Sequence, residues 1–172
     1  MEPGLLARQR QNLGMELDKH LAPRKIMEIR QATPEEVPLL ALLFNNYRVF
    51  YGKPPDIGAA AQFLNDRLTR HESEIFVVVA GDTIAGFMQL YPLFSSTRMK
   101  KLWLLNDLFV SKEYRGRGFS KVLIEQAKEL CRQTGACGFT LETGKGNAIG
   151  NQLYPKMGMR LSDGYNAYGW EA

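Results

Sequence analysis

The chain has 172 residues, 45% of them apolar and 23% charged, the make-up of an ordinary globular domain long enough to bury a core. Its net charge is +4, but residues 1–26 hold five basic against three acidic side chains, leaving only +2 for the rest. That near balance argues against nucleic acid as a partner, which calls for a clustered basic face.

No apolar run approaches the roughly 20 residues needed to span a bilayer. The start, Met1-Glu2-Pro3-Gly4-Leu5-Leu6-Ala7-Arg8, lacks the long apolar stretch of a secretory signal. Together these predict a cytoplasmic protein without a membrane partner. The two cysteines, Cys131 and Cys137, form neither a disulfide framework nor a metal-ligand spacing, and read as small apolar side chains. With only His20 and His71 besides, no metal site and no Ser/His/Asp triad is expected.

Residues 1–26 read as a polar extension, with a short helix over 13–17 its one candidate element, and the compact domain as 27–172. A strand is expected over 26–30. Thr33-Pro34-Glu35-Glu36 then has the form of a helix start, and apolar positions 37, 40, 43, 44 and 47 keep helical spacing. A second helix over 57–70 leads to a β-branched strand over 75–79. Gly81-Asp82 turns the chain into a strand over 84–90. The strand over 102–110 is apolar on both faces, which places it centrally.

The clearest helix follows. Phe119, Val122, Leu123, Gln126, Ala127, Leu130 and Cys131 mark one stripe, ending at Thr134-Gly135. A strand over 136–142, a short helix over 147–154 and two last strands near 159–161 and 165–170 complete the domain. The fold class is α/β in the mixed α+β sense. The strand–helix–strand unit over 102–142 is expected to be a right-handed parallel crossover.

The segment with chemical content runs from Leu108 to Lys121: Leu-Phe-Val-Ser-Lys-Glu-Tyr-Arg-Gly-Arg-Gly-Phe-Ser-Lys. A buried strand ends, a glycine-rich turn follows and an amphipathic helix begins. Free N–H groups at a helix start attract anions, and Gly116 and Gly118 carry no side chain to block a phosphate. Arg115, Arg117 and Lys121 add charge at the rim. The spacing is neither Gly-x-Gly-x-x-Gly nor Gly-Lys-Ser/Thr. It resembles the signature of the GNAT superfamily of acyl-CoA-dependent N-acyltransferases, in which Arg or Gln is followed after two residues by Gly, one residue, and Gly or Ala. Arg115 and Gly118 match; Ser120 departs at the last position. A second block, Asn147 with Leu153-Tyr154-Pro155-Lys156-Met157-Gly158-Met159, also resembles that family.

The resemblance covers nearly all of 27–170 and implies a mostly antiparallel mixed sheet of about seven strands. In it, a parallel pair splays apart with acetyl-CoA in the gap and helices cover both faces. It implies that the backbone of Leu108, Phe109 and Val110 pairs with the pantetheine arm. Amides from Gly116 through Arg117, Gly118, Phe119 and Ser120 to Lys121 would hold the pyrophosphate, with Arg115 beside them, and Asn147 would reach the cofactor arm. Tyr154 resembles the family's general acid, although Pro155 biases it away from helix. Glu142 falls where some relatives carry a glutamate base. Asp107 is the rival base, because a carboxylate interrupting an apolar strand needs a partner or a function; a bulge at Asn106-Asp107 is the structural alternative.

A lysine-like amine must lose a proton before it attacks, at about 1.4 kcal/mol per pKa unit, so a base is useful. A backbone N–H near Leu108 or Phe109 suits the oxyanion. Two segments suit an amine acceptor, 45–51 with three aromatics and 91–96. The expected activity is acetyl transfer from acetyl-CoA to a primary amine of a small molecule or protein. The competing reading is a non-catalytic acyl-CoA sensor on the same fold. The resemblance also allows a homodimer.

Overall fold

The computed structural model describes residues 27–164 and 166–170; the expected extension over 1–26 lies outside them. Five strands form one sheet in sequence order: β1 (Glu28–Gln31), β2 (Glu74–Ala80), β3 (Thr83–Ser95), β4 (Lys100–Val110) and β5 (Phe139–Thr140). Neighbours pair antiparallel except β4 and β5, which run parallel. Of four α-helices, α1 (Val37–Phe50) and α2 (Ile57–Thr69) cover one face and α3 (Phe119–Gln133) the other, and α4 (Ala148–Lys156) follows β5. The mixed fold class holds. The sheet has five strands among the described residues, not about seven.

Local chemistry explains the elements. Glu36 accepts from the Thr33 N–H at 3.0 Å and pairs with Arg30 at 2.6 Å, which fixes the start of the helical segment against β1. Gly81, in the left-handed region at φ 62°, makes the two-residue turn between β2 and β3. Asp56 caps α2 by accepting from Ala59 N–H at 2.9 Å. The Asp56 N–H is itself held by the buried Asn45 side chain at 2.8 Å, which pins the start of α2 to α1.

The sheet separates two cores. On one side Phe76, Met88, Leu90, Trp103 and Leu105 pack against Phe119, Leu123, Ala127 and Leu130 of α3. On the other, Ile75, Val77 and Phe87 pack against Leu40, Phe44, Ala60 and Leu64 of α1 and α2. The expected α3 stripe is nearly right; Ile124 is fully buried while Val122 and Gln126 are half-buried. Cys131 is buried and Cys137 half-buried.

Three expectations change. β3 runs on to Ser95, so the strand expected over 84–90 extends through Tyr91–Ser95, paired to Lys100–Leu104. Of the strand expected over 136–142, only Phe139 and Thr140 pair; the ladder stops at Leu104, before a bulge at Asn106. Described residues near 159–161 and over 166–170 form no strand. Leu161, Tyr168 and Trp170 are strongly exposed there, so no buried face stabilises a further ladder; Tyr165 lies outside the described residues.

Gly86 sits where β3 and β4 approach most tightly: a Cβ there would lie 2.7 Å from the Phe109 carbonyl oxygen and 3.1 Å from Val110 Cγ2. A backbone oxygen inside a paired strand cannot yield. Gly86→Ala is therefore expected to cost about 1–3 kcal/mol, seen as a lower urea midpoint with an unchanged slope; a parent-like midpoint would contradict the close approach.

Candidate functional site

In a strand, side chains and backbone groups alternate sides with a period of two. On β4, Trp103 donates its N–H to Gly138 on the β5 side at 3.1 Å, whereas Ser111, just past its end, donates to Ala85 on the β3 side at 2.9 Å. Gln89 pairs with Asp107 but Leu90 pairs with Leu105, so Asn106 is an extra residue. Its effect on side chains is visible in the packing. Trp103, Leu105, Leu108 and Val110 contribute to the α3-side core, while Phe109 packs into the core beneath α1 and α2. Asp107 opens on the α1–α2 side as well. The bulge expected at Asn106-Asp107 is present, and Asp107 is also buried.

Beyond Leu104 no strand among the described residues pairs with β4 on its β5 side. A cleft of about 510 Å³ opens along this gap, lined by Leu108, Phe109 and Val110 on one side and by Leu141, Glu142, Asn147, Leu153 and Tyr154 on the other. Arg115, Gly116, Gly118, Phe119, Ser120 and Lys121 line it too. Arg115 folds back over the end of β4: its Nε donates to the Val110 carbonyl at 3.1 Å and its guanidinium lies over the Phe109 ring. Arg117 lies outside the lining, over the Tyr114 ring.

The turn itself is built for anions. Gly116 (φ 76°) and Gly118 (φ 87°) are left-handed, and a Cβ at either would meet only open space. The amides of Gly116, Arg117, Gly118, Phe119 and Ser120 reach no acceptor among the described residues. The Lys121 N–H is already bonded to the Gly118 carbonyl at 3.0 Å, so the free array ends one residue earlier than the resemblance implies. Phe119 offers only its backbone, because its side chain is buried against Tyr114. Ser120 is half-buried at the cleft, small enough not to fill it.

Asn147 uses both ends of its side chain within the protein. Its Oδ1 accepts from Gly150 N–H at 3.1 Å, capping α4, and its Nδ2 donates to Thr143 Oγ1 at 2.9 Å. Gly150 is needed beside it, since a Cβ there would come within 2.7 Å of Asn147 Nδ2. Tyr154 stays helical although Pro155 follows, because the proline falls in the last turn and removes only one late helical donor. Burial raises the Tyr154 pKa, Tyr51 adds to the effect and the Thr143 hydroxyl moderates it. Glu142 stands exposed on the cleft wall, past the end of β5.

A second cavity, of about 410 Å³, lies between α1 and α2. Phe44, Tyr47, Tyr51 and Phe63 wall it, Arg48 and Lys53 supply cations, and Asp107 contributes a carboxylate. Burial pushes the Asp107 carboxyl above its ordinary value, while hydrogen bonds from the Tyr47 hydroxyl and the Asn106 amide pull the other way. The Tyr47 hydroxyl also lies 3.3 Å from the Asn106 carbonyl. Burial, and then the Asp107 charge, raise the Tyr47 pKa far above its usual range. Tyr47 and Tyr51, with ring centroids 5.0 Å apart, belong to both cavities and stand where they meet.

The structure thus brings Tyr154, Glu142 and the glycine turn to one cleft, and Asp107 to the adjoining one. Tyr47, Arg48 and Tyr51 of segment 45–51 line the second cavity; segment 91–96 lines neither. Phe63, Ala59 and Ala60 were legible only as helix positions. Among the described residues no cluster of His, Cys, Asp and Glu could hold a metal, and no helix is long and apolar enough to cross a membrane.

Comparison with known proteins agrees with this geometry. Residues 40–159 match the acetyltransferase (GNAT) family. An uncharacterized N-acetyltransferase of Bacillus subtilis (strain 168), YhfO, is 40% identical over 142 residues, 83% of this chain and 95% of that protein. The crystal structure of a probable acetyltransferase superposes with a TM-score of 0.80 at 36% identity, over 84% of this chain and 97% of its own. A possible acetyltransferase from Clostridium difficile 630 shares the fold, with a TM-score of 0.76 at 22% identity over 86% and 99% of the two chains.

The open amides define a test. Gly118→Glu sets a carboxylate and a strained left-handed residue at the turn. Coenzyme A titrated by calorimetry is expected to bind at least about 10-fold more weakly, roughly 1.4 kcal/mol; equal affinity would remove the turn from the site.

Proposed function

The chain belongs to the GNAT family of acetyltransferases, and from that premise we propose that it moves an acetyl group from acetyl-CoA to a primary amine by direct attack in a ternary complex. The observation that carries this reading is the pair of adjoining cavities. One is bordered by a turn of five bare amides, the other holds a buried carboxylate, and Tyr47 and Tyr51 stand between them.

Acetyl-CoA supplies the activated acyl thioester; the chain supplies position and protons. The Gly116–Ser120 amides and the start of α3 suit a diphosphate, and the β4 edge suits an extended amide-bearing arm. Arg115 occupies the Val110 carbonyl, which leaves the backbone upstream of it as the pairing edge. An amine in the second cavity faces Asp107, the only buried carboxylate among the described residues. A carboxylate whose proton affinity is raised by burial is a stronger base near neutral pH than an exposed one. Glu142 sits in the donor cleft instead, exposed, and is the weaker candidate. Tyr154 lines the donor cleft with its proton affinity raised, so it keeps its proton and can pass it to a departing thiolate.

The test is release of coenzyme A thiol over a panel of primary amines. Coenzyme A binding without thiol release from acetyl-CoA under any amine would leave only the sensor reading. Tyr154→Phe is expected to slow turnover by roughly 10²-fold with coenzyme A affinity within twofold; equal rates would remove the acid assignment. The pH profile examines the base. Asp107 must be deprotonated, and its pKa is raised, so the acidic limb of kcat/KM should lie above the ordinary aspartate range. Asp107→Asn should lower kcat/KM by roughly 10²-fold or more and abolish that limb. A limb that survives in Asp107→Asn and vanishes in Glu142→Gln would transfer the role to Glu142.

A further inference from the structure

The second cavity carries more information than a place for an amine. Arg48 lines it from α1, and its Nη1 is buried without a hydrogen-bond acceptor among the described residues. Buried donors are normally paired, and an unpaired guanidinium nitrogen is costly. Arg67, whose Nε is likewise buried without a well-aligned hydrogen bond, lies 2.7 Å from Glu72 and over the Phe63 ring, outside the cavity lining. Lys53, exposed at the same cavity, adds a second cation. The cavity thus offers two positive groups and, at Asp107, one carboxylate.

We propose that the acceptor is a small primary amine that also bears a carboxylate, an amino-acid-like molecule whose acid group is held by Arg48 and Lys53. This rests on the transferase reading above. A guanidinium fork matches a carboxylate in two parallel hydrogen bonds, and Arg48 belongs to the cavity lining. With the acid group at Arg48, the amine of the same molecule shares the cavity with Asp107. A volume of about 410 Å³ is that of a small-molecule pocket. The walls favour an apolar or aromatic side chain: Phe44 stacks on Phe63 with centroids 5.5 Å apart, and the Tyr47 and Tyr51 rings belong to the same lining. A polyamine is disfavoured, because its additional ammonium groups would face Arg48 and Lys53.

The experiment uses the full chain with acetyl-CoA and compares L-phenylalanine and L-methionine with L-phenylalaninamide, phenethylamine and spermidine as acceptors. The carboxylate-bearing acceptors are expected to have kcat/KM at least about 10-fold higher, through KM, the size of one charge-assisted pair. Arg48→Gln should bring the ratio of phenylalanine to phenethylamine close to one. Lys53→Gln, at an exposed position, should lower that ratio without disturbing the fold. Coenzyme A affinity, read by calorimetry in each variant, reports whether the donor cleft is intact. Turnover confined to spermidine or to carboxylate-free amines would overturn the acceptor class and leave the transferase reading standing. A preference that persists in Arg48→Gln and Lys53→Gln would overturn the role of these cations. No turnover with any of the five, while coenzyme A binds, would overturn both.

Discussion

Asp107 has the same parity as Trp103 and Leu105, so it can face away from their hydrophobic seam only if the alternation of β4 is broken between them, and Asn106 is that point. Without the extra residue, positions 103, 105, 107 and 109 would share a face. Trp103 and Leu105 point into the α3-side core, so Asp107 would be buried there among Met88, Leu123 and Ala127. With it, Leu108 and Val110 continue the α3 seam, and Asp107 emerges beneath α1 and α2. The same residue lies just past the last rung between β4 and β5, where the gap for the donor begins. One insertion in the ladder therefore serves both cavities.

The cost of a carboxylate in that position is contained by its neighbours. Asp107 is almost wholly buried, but the Tyr47 hydroxyl and the Asn106 amide bond it. Under the proposed function that burial makes it a useful base, since a fully solvated aspartate is a weaker one. The aromatic group around it, Phe44, Tyr47, Phe87 and Phe109, packs mostly edge to face, a rigid arrangement for holding a hydroxyl in place. Asn45 contributes from the far side by tying α2 to α1, which keeps the second cavity open at a fixed width.

Much of this was legible in the residues. The Arg-x-x-Gly spacing after an apolar strand located the amide turn, and Asp107 stood out as a charge inside an apolar run. The hairpin at Gly81-Asp82 and the α3 stripe followed from turn chemistry and period. What escaped depended on contacts distant in sequence. That β3 continues through Pro92 is decided by its ladder with β4, into which Pro92 fits opposite Trp103. The short β5 reflects the divergence of β4 after Leu104, and nothing within 136–142 announces it. Lys121 looked equivalent to its neighbours in the turn, yet its amide belongs to the first turn of α3, whereas Phe119 is buried as its place at the head of the apolar stripe requires. The cavity between α1 and α2 could not be seen at all from a helical period, which shows which face is apolar but not what lies opposite.

The placement of the two cavities along the chain divides the molecule into halves with separate duties. All but one of the residues around the smaller cavity come from 44–63, while the donor cleft draws mainly on 105–154. Apart from Tyr47, Phe50 and Tyr51, the described lining of the larger cleft takes nothing from the helical hairpin, so under the proposed function the hairpin can vary in sequence without altering the coenzyme A site. Under the proposed function, exchanging that hairpin among homologues is thus a route by which this scaffold can acquire new acceptors while its donor chemistry stays as it was, with Asp107 the one strand residue in the described lining of that cavity.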